Sequence, residues 1–250
     1  MSLRALFKSA LLSLMLLALW QAVVSLFALP HYLLPPPANV FAQFGSHAEM
    51  LWSHTQITLL EIFLGLTLGF ALGLSSALLL ALSPRLANLL LPLLVISQAI
   101  PVFAIAPLLV LWFGYGLASK IAMTILIIYF PVTAACYDGL RNTPKPWLEL
   151  AKTMQISPLA MLFRVRLPAA LPSLASGLRI AVSVAPIGAV VGEWVGSSQG
   201  LGYLMLHANA RMQVDLMFSA LLILLVIALL LYFSVDYGLR KAVPWVGKVG

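Results

Sequence analysis

Five ionisable side chains, Glu61, Asp138, Arg179, Glu193 and Asp236, stand inside or at the edge of stretches that are otherwise hydrocarbon. A charge at the centre of a membrane costs roughly 2.5–3.5 kcal/mol on insertion scales, so each of these groups is expected to face protein or water. Groups of this kind suit an internal ion pair or the passage of a solute rather than bond making. Asp138 and Asp236 fall near span ends, where snorkelling is the expectation. Arg179 lies deeper and is read first as neutralising a partner acid, with solute contact as the second reading. No set for covalent or metal chemistry accompanies them. The G-x-x-x-x-G-K-[ST], H-E-x-x-H and G-x-S-x-G patterns are absent. His31, His47, His54 and His207 sit outside or at the edges of apolar runs, where a solvated or interfacial ring is expected. Cys136 is the single cysteine, which excludes an intrachain disulfide and a thiolate cluster.

The elements that must position these groups are apolar helices. The chain of 250 residues is 62% hydrophobic and 8% charged, with a mean hydropathy of +1.06, which is no soluble globule. Runs long enough to cross a hydrocarbon core of about 30 Å lie near 8–29, 56–82, 88–111, 118–139, 171–195 and 215–237. The expected fold is all-α, a polytopic bundle of six transmembrane helices. Arg4 and Lys8 precede the first run as in a secretory signal, but its length and the lack of a clean cleavage site read as a retained anchor. The chain then divides into an anchor helix and outer loop at 1–55, a core at 56–237 with a polar loop at 140–170, and a tail at 238–250.

Orientation follows from Lys and Arg placement. Arg4, Lys8, Arg85, Arg141, Lys145, Lys152, Arg164, Arg166, Arg240, Lys241 and Lys248 fall on one side, and Lys120 and Arg211 on the other. Both termini and the 140–170 loop are therefore expected in the cytoplasm. The net charge of +7 is read as this topological signal and not as a nucleic-acid footprint.

The helices differ in character. Spans one and six are leucine-rich and suit lipid contact at the periphery. In span two, Glu61, Gly65, Gly69, Gly73 and Ala77 recur every fourth residue, and in span five Gly177, Ala181, Ala185, Ala189 and Glu193 do the same beside Gly188, Gly192 and Gly196. Such stripes predict close helix packing and are compatible with a passage between the same helices. Span three holds Ser97, Gln98, Pro101 and Pro107, so it is kinked for packing or bent around a path. Span five is expected to carry a similar interruption at Pro186, next to Arg179 and Ser183. The candidates for a translocation path are thus Glu61, Ser97, Gln98, Pro101, Arg179, Ser183 and Glu193.

The loop TPKPWLELAKTMQISPLAMLFRVRLP supplies the other candidate surface. Thr143 is an expected N-cap, Pro144 and Pro146 set the entry, and Ser157-Pro158 ends the helix. Trp147, Leu150, Ala151 and Met154 repeat at one-turn spacing. This amphipathic helix fits a groove on another protein or the lipid headgroups, and periodicity does not choose.

ELAKTMQIS followed by VRLPAALP resembles the EAA loop of the permease subunits of binding-protein-dependent ABC importers. Glu149 and Ala151 match the EAA element and Val165, Leu167 and Pro168 the ending, while Leu150 replaces an alanine and Gln155 the motif's glycine. LPPPANVF, PLLVLWFGYGLASK, YFPVTAACYDGL, LPSLASGLRIA and VVGEWVGSSQGLGYLM extend the resemblance to the nitrate, alkanesulfonate, taurine and thiamine-precursor importers. It implies that 146–157 is a coupling helix, with Trp147, Glu149, Leu150, Ala151, Met154 and Gln155 meeting a cytoplasmic ATP-binding subunit. ATP and Mg would then be bound by that partner, with no cofactor in this chain and no enzymatic site of its own. The resemblance further implies a second permease copy, forming a homodimer in the lipid bilayer, an external solute-binding protein, alternating access and a place in the bacterial inner membrane. The expected solute is a hydroxymethylpyrimidine-type thiamine precursor, with an alkanesulfonate, nitrate or related oxyanion as the alternative. GSSQGLG is expected to be a conformable rim loop or a plain reentrant turn. An ion-coupled secondary transporter is disfavoured by the lack of a visible repeat, and an intramembrane enzyme by the lack of a nucleophile or metal set.

Overall fold

The computed structural model describes residues 3–245, with side chains described for Leu11, Leu12 and from Leu14 onward. Arg4, Lys8 and Lys248, used above for orientation, lie outside the described side chains. The described residues form helices α1 (Leu3–Leu26), α2 (Pro37–Ser46), α3 (Ala48–Leu82), α4 (Pro84–Ser97), α5 (Val102–Phe113), α6 (Leu117–Arg141), α7 (Lys145–Thr153) and α8 (Pro158–Met161). A π turn over Leu162–Arg166 leads into α9 (Leu167–Gly196), followed by α10 (Leu201–Ala210) and α11 (Val214–Ala242).

The small-residue stripes set the core. Gly65, Gly69 and Gly73 of α3 face Thr124, Ile128 and Val132 of α6. Both sets of numbers rise together, so α3 and α6 run parallel. Gly177, Gly188 and Gly192 of α9 face Ala135, Thr124 and Lys120, so α9 runs antiparallel to α6 on its other side. Thr124 is held between two glycines. A Cβ on Gly65 would stand 2.5 Å from the Thr124 Cβ, and one on Gly188 2.8 Å from its Cα. Both stripes therefore pack helix on helix, as their spacing predicts.

Parallel α3 and α6 require the chain between them to return across the bundle. Helices α4 and α5 do this with a bend of 102° between them, and Gly196 at the end of α9 abuts Val110 near the end of α5. The run expected as one span at 88–111 is thus a broken pair. Pro101 removes an N–H and disfavours helical geometry at Ile100, and the helix stops at Ser97 and restarts at Val102. The interruption expected at Pro186 does not occur. Helix α9 passes through Pro172 and Pro186 without a break, because close packing against α6 supports the backbone on both sides of the ring.

Four helices, α3, α6, α8–α9 and α11, are long and apolar enough to cross a membrane, and the bent pair makes five. The first of the six expected spans is helical over Leu3–Leu26, and among the residues with described side chains its apolar stretch, Leu14–Leu26, is shorter than a span. Leu12, Leu14, Leu16 and Leu19 of α1 are exposed, as are Leu225, Leu229, Leu230 and Phe233 of α11, in keeping with peripheral placement. Trp20 fastens α1 by donating to the Pro35 carbonyl at 3.1 Å and packing on Phe218.

Candidate functional site

Helix α7 stands off the bundle. Trp147, Leu150 and Met154 point outward at one-turn spacing and are more than half exposed, whereas Ala151 is 4% exposed and turned inward. Glu149 and Gln155 are exposed as well. A groove of about 380 Å³ runs between this ridge and Ile156, Arg164, Val165 and Pro168. A second hollow of about 530 Å³ lies on the far side of Trp147, walled by Asn142, Pro144, Ala169, Pro172 and Trp245. Trp147 thus divides two apolar recesses.

The end of α7 explains Gln155. The Gln155 N–H donates to the Lys152 carbonyl at 2.9 Å and the Ile156 N–H to that of Ala151 at 3.3 Å, the bond pair of a Schellman motif. Its closing residue takes the left-handed conformation, and Gln155 has φ +54°. This is the position at which the resembled motif carries glycine. Thr143 does not cap α7 as expected. Its hydroxyl donates back to the Leu140 carbonyl at 3.0 Å, and Pro144 takes the N-cap position without a side-chain cap. Ser157 likewise opens α8, accepting from the Ala160 N–H at 3.2 Å.

Behind the groove the π turn carries Arg166 inward. Its Nε donates to the Leu140 carbonyl at 3.1 Å and its Nη1 to the Ala81 carbonyl at 3.1 Å. Those carbonyls belong to the last turns of α6 and α3, where backbone acceptors lack helical partners and the macrodipole is negative. One guanidinium therefore closes two parallel helices at once.

At the opposite end, Glu193 of α9 is 1% exposed and surrounded by donors. Thr58 Oγ1 donates to Oε1 at 2.6 Å, and the Gly202 and Tyr203 N–H groups donate to Oε2 at 2.5 and 3.4 Å. Thr58 Oγ1 accepts from the Leu201 N–H at 2.8 Å and His54 Nδ1 from the Gly200 N–H at 2.9 Å. The N–H groups of residues 200–203 open α10 and have no partner within it. The buried Glu193 carboxyl group and its neighbours supply the acceptors that these N–H groups lack. Gly200 has φ +108°, and a Cβ there would collide with the Glu193 carboxyl group. Within the GSSQGLG segment, Gly200–Gly202 are pinned around Glu193, while Ser198 and Gln199 are exposed.

Glu61, fully buried, adjoins Glu193 and forms an ion pair with Lys120 at 3.4 Å. Its two oxygens make no hydrogen bond among the described residues. Of the remaining path candidates, Ser97, Gln98 and Pro101 are exposed at the α4–α5 bend and Ser183 on α9. Arg179 donates to Asp236 at 2.7 Å, and Arg240 donates to the second Asp236 oxygen at 2.8 Å. The partner acid read for Arg179 is thus Asp236, which is paired and 9% exposed rather than snorkelling. Asp138 is exposed.

Sequence reading missed Lys120, Thr58 and His54, and it placed Arg166 only as one more inner-side charge. Thr58 lies one turn before Glu61 on the same face, which is a local signal. Lys120 had none beyond the glycine opposite it: Gly192 lets α9 approach so closely that a Cβ would stand 3.0 Å from the Lys120 Cα. Among the described residues no group of His, Cys, Asp or Glu could hold a metal ion.

The described residues thus form a multi-span helical bundle with an amphipathic helix offered outside it. Residues 65–247 match the family described as binding-protein-dependent transport system inner membrane component, and the chain belongs to that family. It is a multi-pass inner-membrane permease subunit without an ATPase domain. A probable ABC transporter permease of Haemophilus influenzae is 73% identical over 226 residues, 90% of this chain and 92% of the relative. The formylaminopyrimidine transport permease ThiX of Halalkalibacterium halodurans is 38% identical over 93% of both chains. The riboflavin permease RibX of Chloroflexus aurantiacus shares the same 38% over 92% of this chain and 87% of its own. In fold, a chain of the inward-facing methionine ABC transporter MetNI matches with a TM-score of 0.66 at 21% identity, covering 80% of this chain and 97% of that one.

Proposed function

We propose that this permease carries a small planar nitrogen heterocycle, of the hydroxymethylpyrimidine thiamine-precursor type, inward by alternating access. The exposed ridge of Trp147, Leu150 and Met154 beside its groove carries the reading. Apolar side chains repeating at one-turn spacing and turned away from the chain's own core suit insertion into a partner's cleft. In this reading the partner is a cytoplasmic ATP-binding subunit, which holds the ATP and Mg, so the α7 end faces the cytoplasm together with both termini. Two copies form the path, and a solute-binding protein docks at the Glu193 end. The six-span arrangement, the division at 55 and 237, and the coupling roles of Trp147, Glu149, Leu150, Ala151, Met154 and Gln155 belong to the same proposal.

For the path, Ser97, Gln98, Pro101 and Ser183 are the exposed polar or bend-forming positions and are the ones proposed to meet solute. Glu61 and Glu193 serve the end that the solute enters by holding α3, α6, α9 and α10 together. Glu61 is buried against Lys120 and bears on neither solute. The heterocycle is favoured because the pyrimidine and riboflavin permeases are the named relatives at 38% identity, and both names denote flat nitrogen rings.

Leu150→Asp and Met154→Asp test the proposal in cells expressing the complete importer. Burying an unpaired carboxylate in an interface costs several kcal/mol, so recovery of the ATP-binding subunit with the permease should fall at least about tenfold. Uptake of labelled hydroxymethylpyrimidine should fall in parallel. Undiminished recovery in both variants would remove the docking surface, and uptake of an alkanesulfonate in place of the pyrimidine by the parent importer would overturn the solute.

A further inference from the structure

Helix α7 has one principal neighbour in the fold, the π turn at Leu162–Arg166, and that turn also touches α3, α6 and α9. Within it, Arg164 and Val165 line the docking groove, while Arg166 reaches the carbonyls of Ala81 and Leu140. We infer that Arg166 is the positioning residue that makes the groove and the ends of α3 and α6 move as one body, so that displacement of α7 reaches the bundle. The inference rests on the docking reading for its purpose, though not for its geometry.

Three observations converge on this residue. Apart from its short link to α6, helix α7 reaches the bundle chiefly through the turn, so the position of the turn bears directly on that of α7. The turn is a π turn, a rare departure from α geometry that recurs at functional sites, and its last residue, Arg166, bonds outside its own helix. Arg166 supplies two bonds to two different helices, from nitrogens held rigidly in one plane. Both acceptors are last-turn carbonyls, so each bond is charge-assisted and aligned with a helix dipole. The Leu140 carbonyl is oriented further by the Thr143 hydroxyl. Lysine carries the same charge but offers a single nitrogen, which cannot span both carbonyls in the same geometry. The charge bias that orients the chain would therefore survive Arg166→Lys, whereas the clasp would not.

The experiment uses nitroxide labels at Lys152→Cys and Leu82→Cys, both exposed, with Cys136 left in place because it is fully buried. Doubly labelled permease is co-expressed with an excess of unlabelled permease and with the ATP-binding subunit, so that the distance read is the one within a single protomer, without nucleotide and after trapping with Mg-ATP and vanadate. The parent should give one narrow distance that persists in both states. Arg166→Lys and Arg166→Gln should each lose it, with the ratio of clasped to unclasped populations falling about tenfold, the effect of one charge-assisted hydrogen bond. The ATP-binding subunit should still be recovered with both variants. An unchanged narrow distance in the variants, or a parent distance that changes on trapping, would overturn the inference. So would loss of both variants from the membrane, which would make Arg166 a folding residue. Should the subunit fail to join even the parent, the docking reading falls, and the nucleotide-free distances in parent and variants still decide the clasp.

Discussion

Gln155, like Ala28 and Met212, is a residue whose positive φ its side chain disfavours. A left-handed residue other than glycine costs roughly 1–2 kcal/mol, and the Schellman bonds from Gln155 and Ile156 show that the conformation is required to close α7. Gln155→Gly removes that strain and gives back part of the gain as unfolded-state entropy. A net stabilisation of about 1 kcal/mol is expected in the unfolding of the detergent-solubilised permease, while Gln155→Val, β-branched and excluded from this region, should destabilise by at least as much. A loss of stability in the glycine variant would mean that the Gln155 side chain itself holds the turn. The replacement of the motif's glycine could be read from the sequence. The retained backbone angle could not, because nothing local forces a glutamine to positive φ unless the rest of the turn demands it. Glu193 and Lys120 teach the same lesson, since their partners lie on other helices: the stripe ending at Glu193 was visible but not its donors, and Lys120 was visible only as a lone charge.

Among the elements, what could be read from sequence was the set of glycine and alanine stripes, because a spacing of four residues maps directly onto one helix face. Which helix they meet could not be read, and α6, the shared partner of both stripes, has no stripe of its own. Prolines were a poorer guide. Pro92, Pro107, Pro172 and Pro186 sit inside helices, while the chain breaks just before Pro101, so tertiary support rather than the ring alone decides where a helix ends. The glycines can be separated by what surrounds them. A Cβ on Gly177 would stand 2.5 Å from the Ala135 Cβ and 2.7 Å from the Pro131 carbonyl oxygen, whereas one on Gly45 in α2 meets nothing within 4 Å. Gly177→Ala must push α9 from α6 and should destabilise by about 1–3 kcal/mol. Gly45→Ala should stabilise by about 0.5–1 kcal/mol through helix propensity alone. Thermal unfolding of the two variants side by side measures the difference, and equal effects would show that the α6–α9 contact is not close-packed.

At the scale of the whole molecule the helix directions sharpen the charge argument. Arg85, Arg141, Lys145, Lys152, Arg164, Arg166, Arg240 and Lys241 all lie at the end where α3, α6 and α11 finish and α9 begins. Lys120 does not count toward the other end, because it is buried in its ion pair with Glu61, which leaves Arg211 there among the described residues. Exposed aromatic side chains bracket the apolar band, with Trp147, Tyr237 and Trp245 at the basic end and Trp52, Trp112 and Tyr115 at the other, as interfacial rings do. Basic loops stay on the cytoplasmic side during insertion, so the groove should be closed to a thiol reagent that cannot cross the membrane. With Cys136 fully buried and silent, Asn209→Cys should react in intact cells and Lys152→Cys only in inverted vesicles. Each labelling ratio is expected to exceed about tenfold, because a site on the wrong side is reached only by leakage or by the rare misoriented chain. The reverse pattern would put the groove outside the cell, where no nucleotide-driven subunit could reach it, and with it would go both the docking partner and the purpose assigned to Arg166.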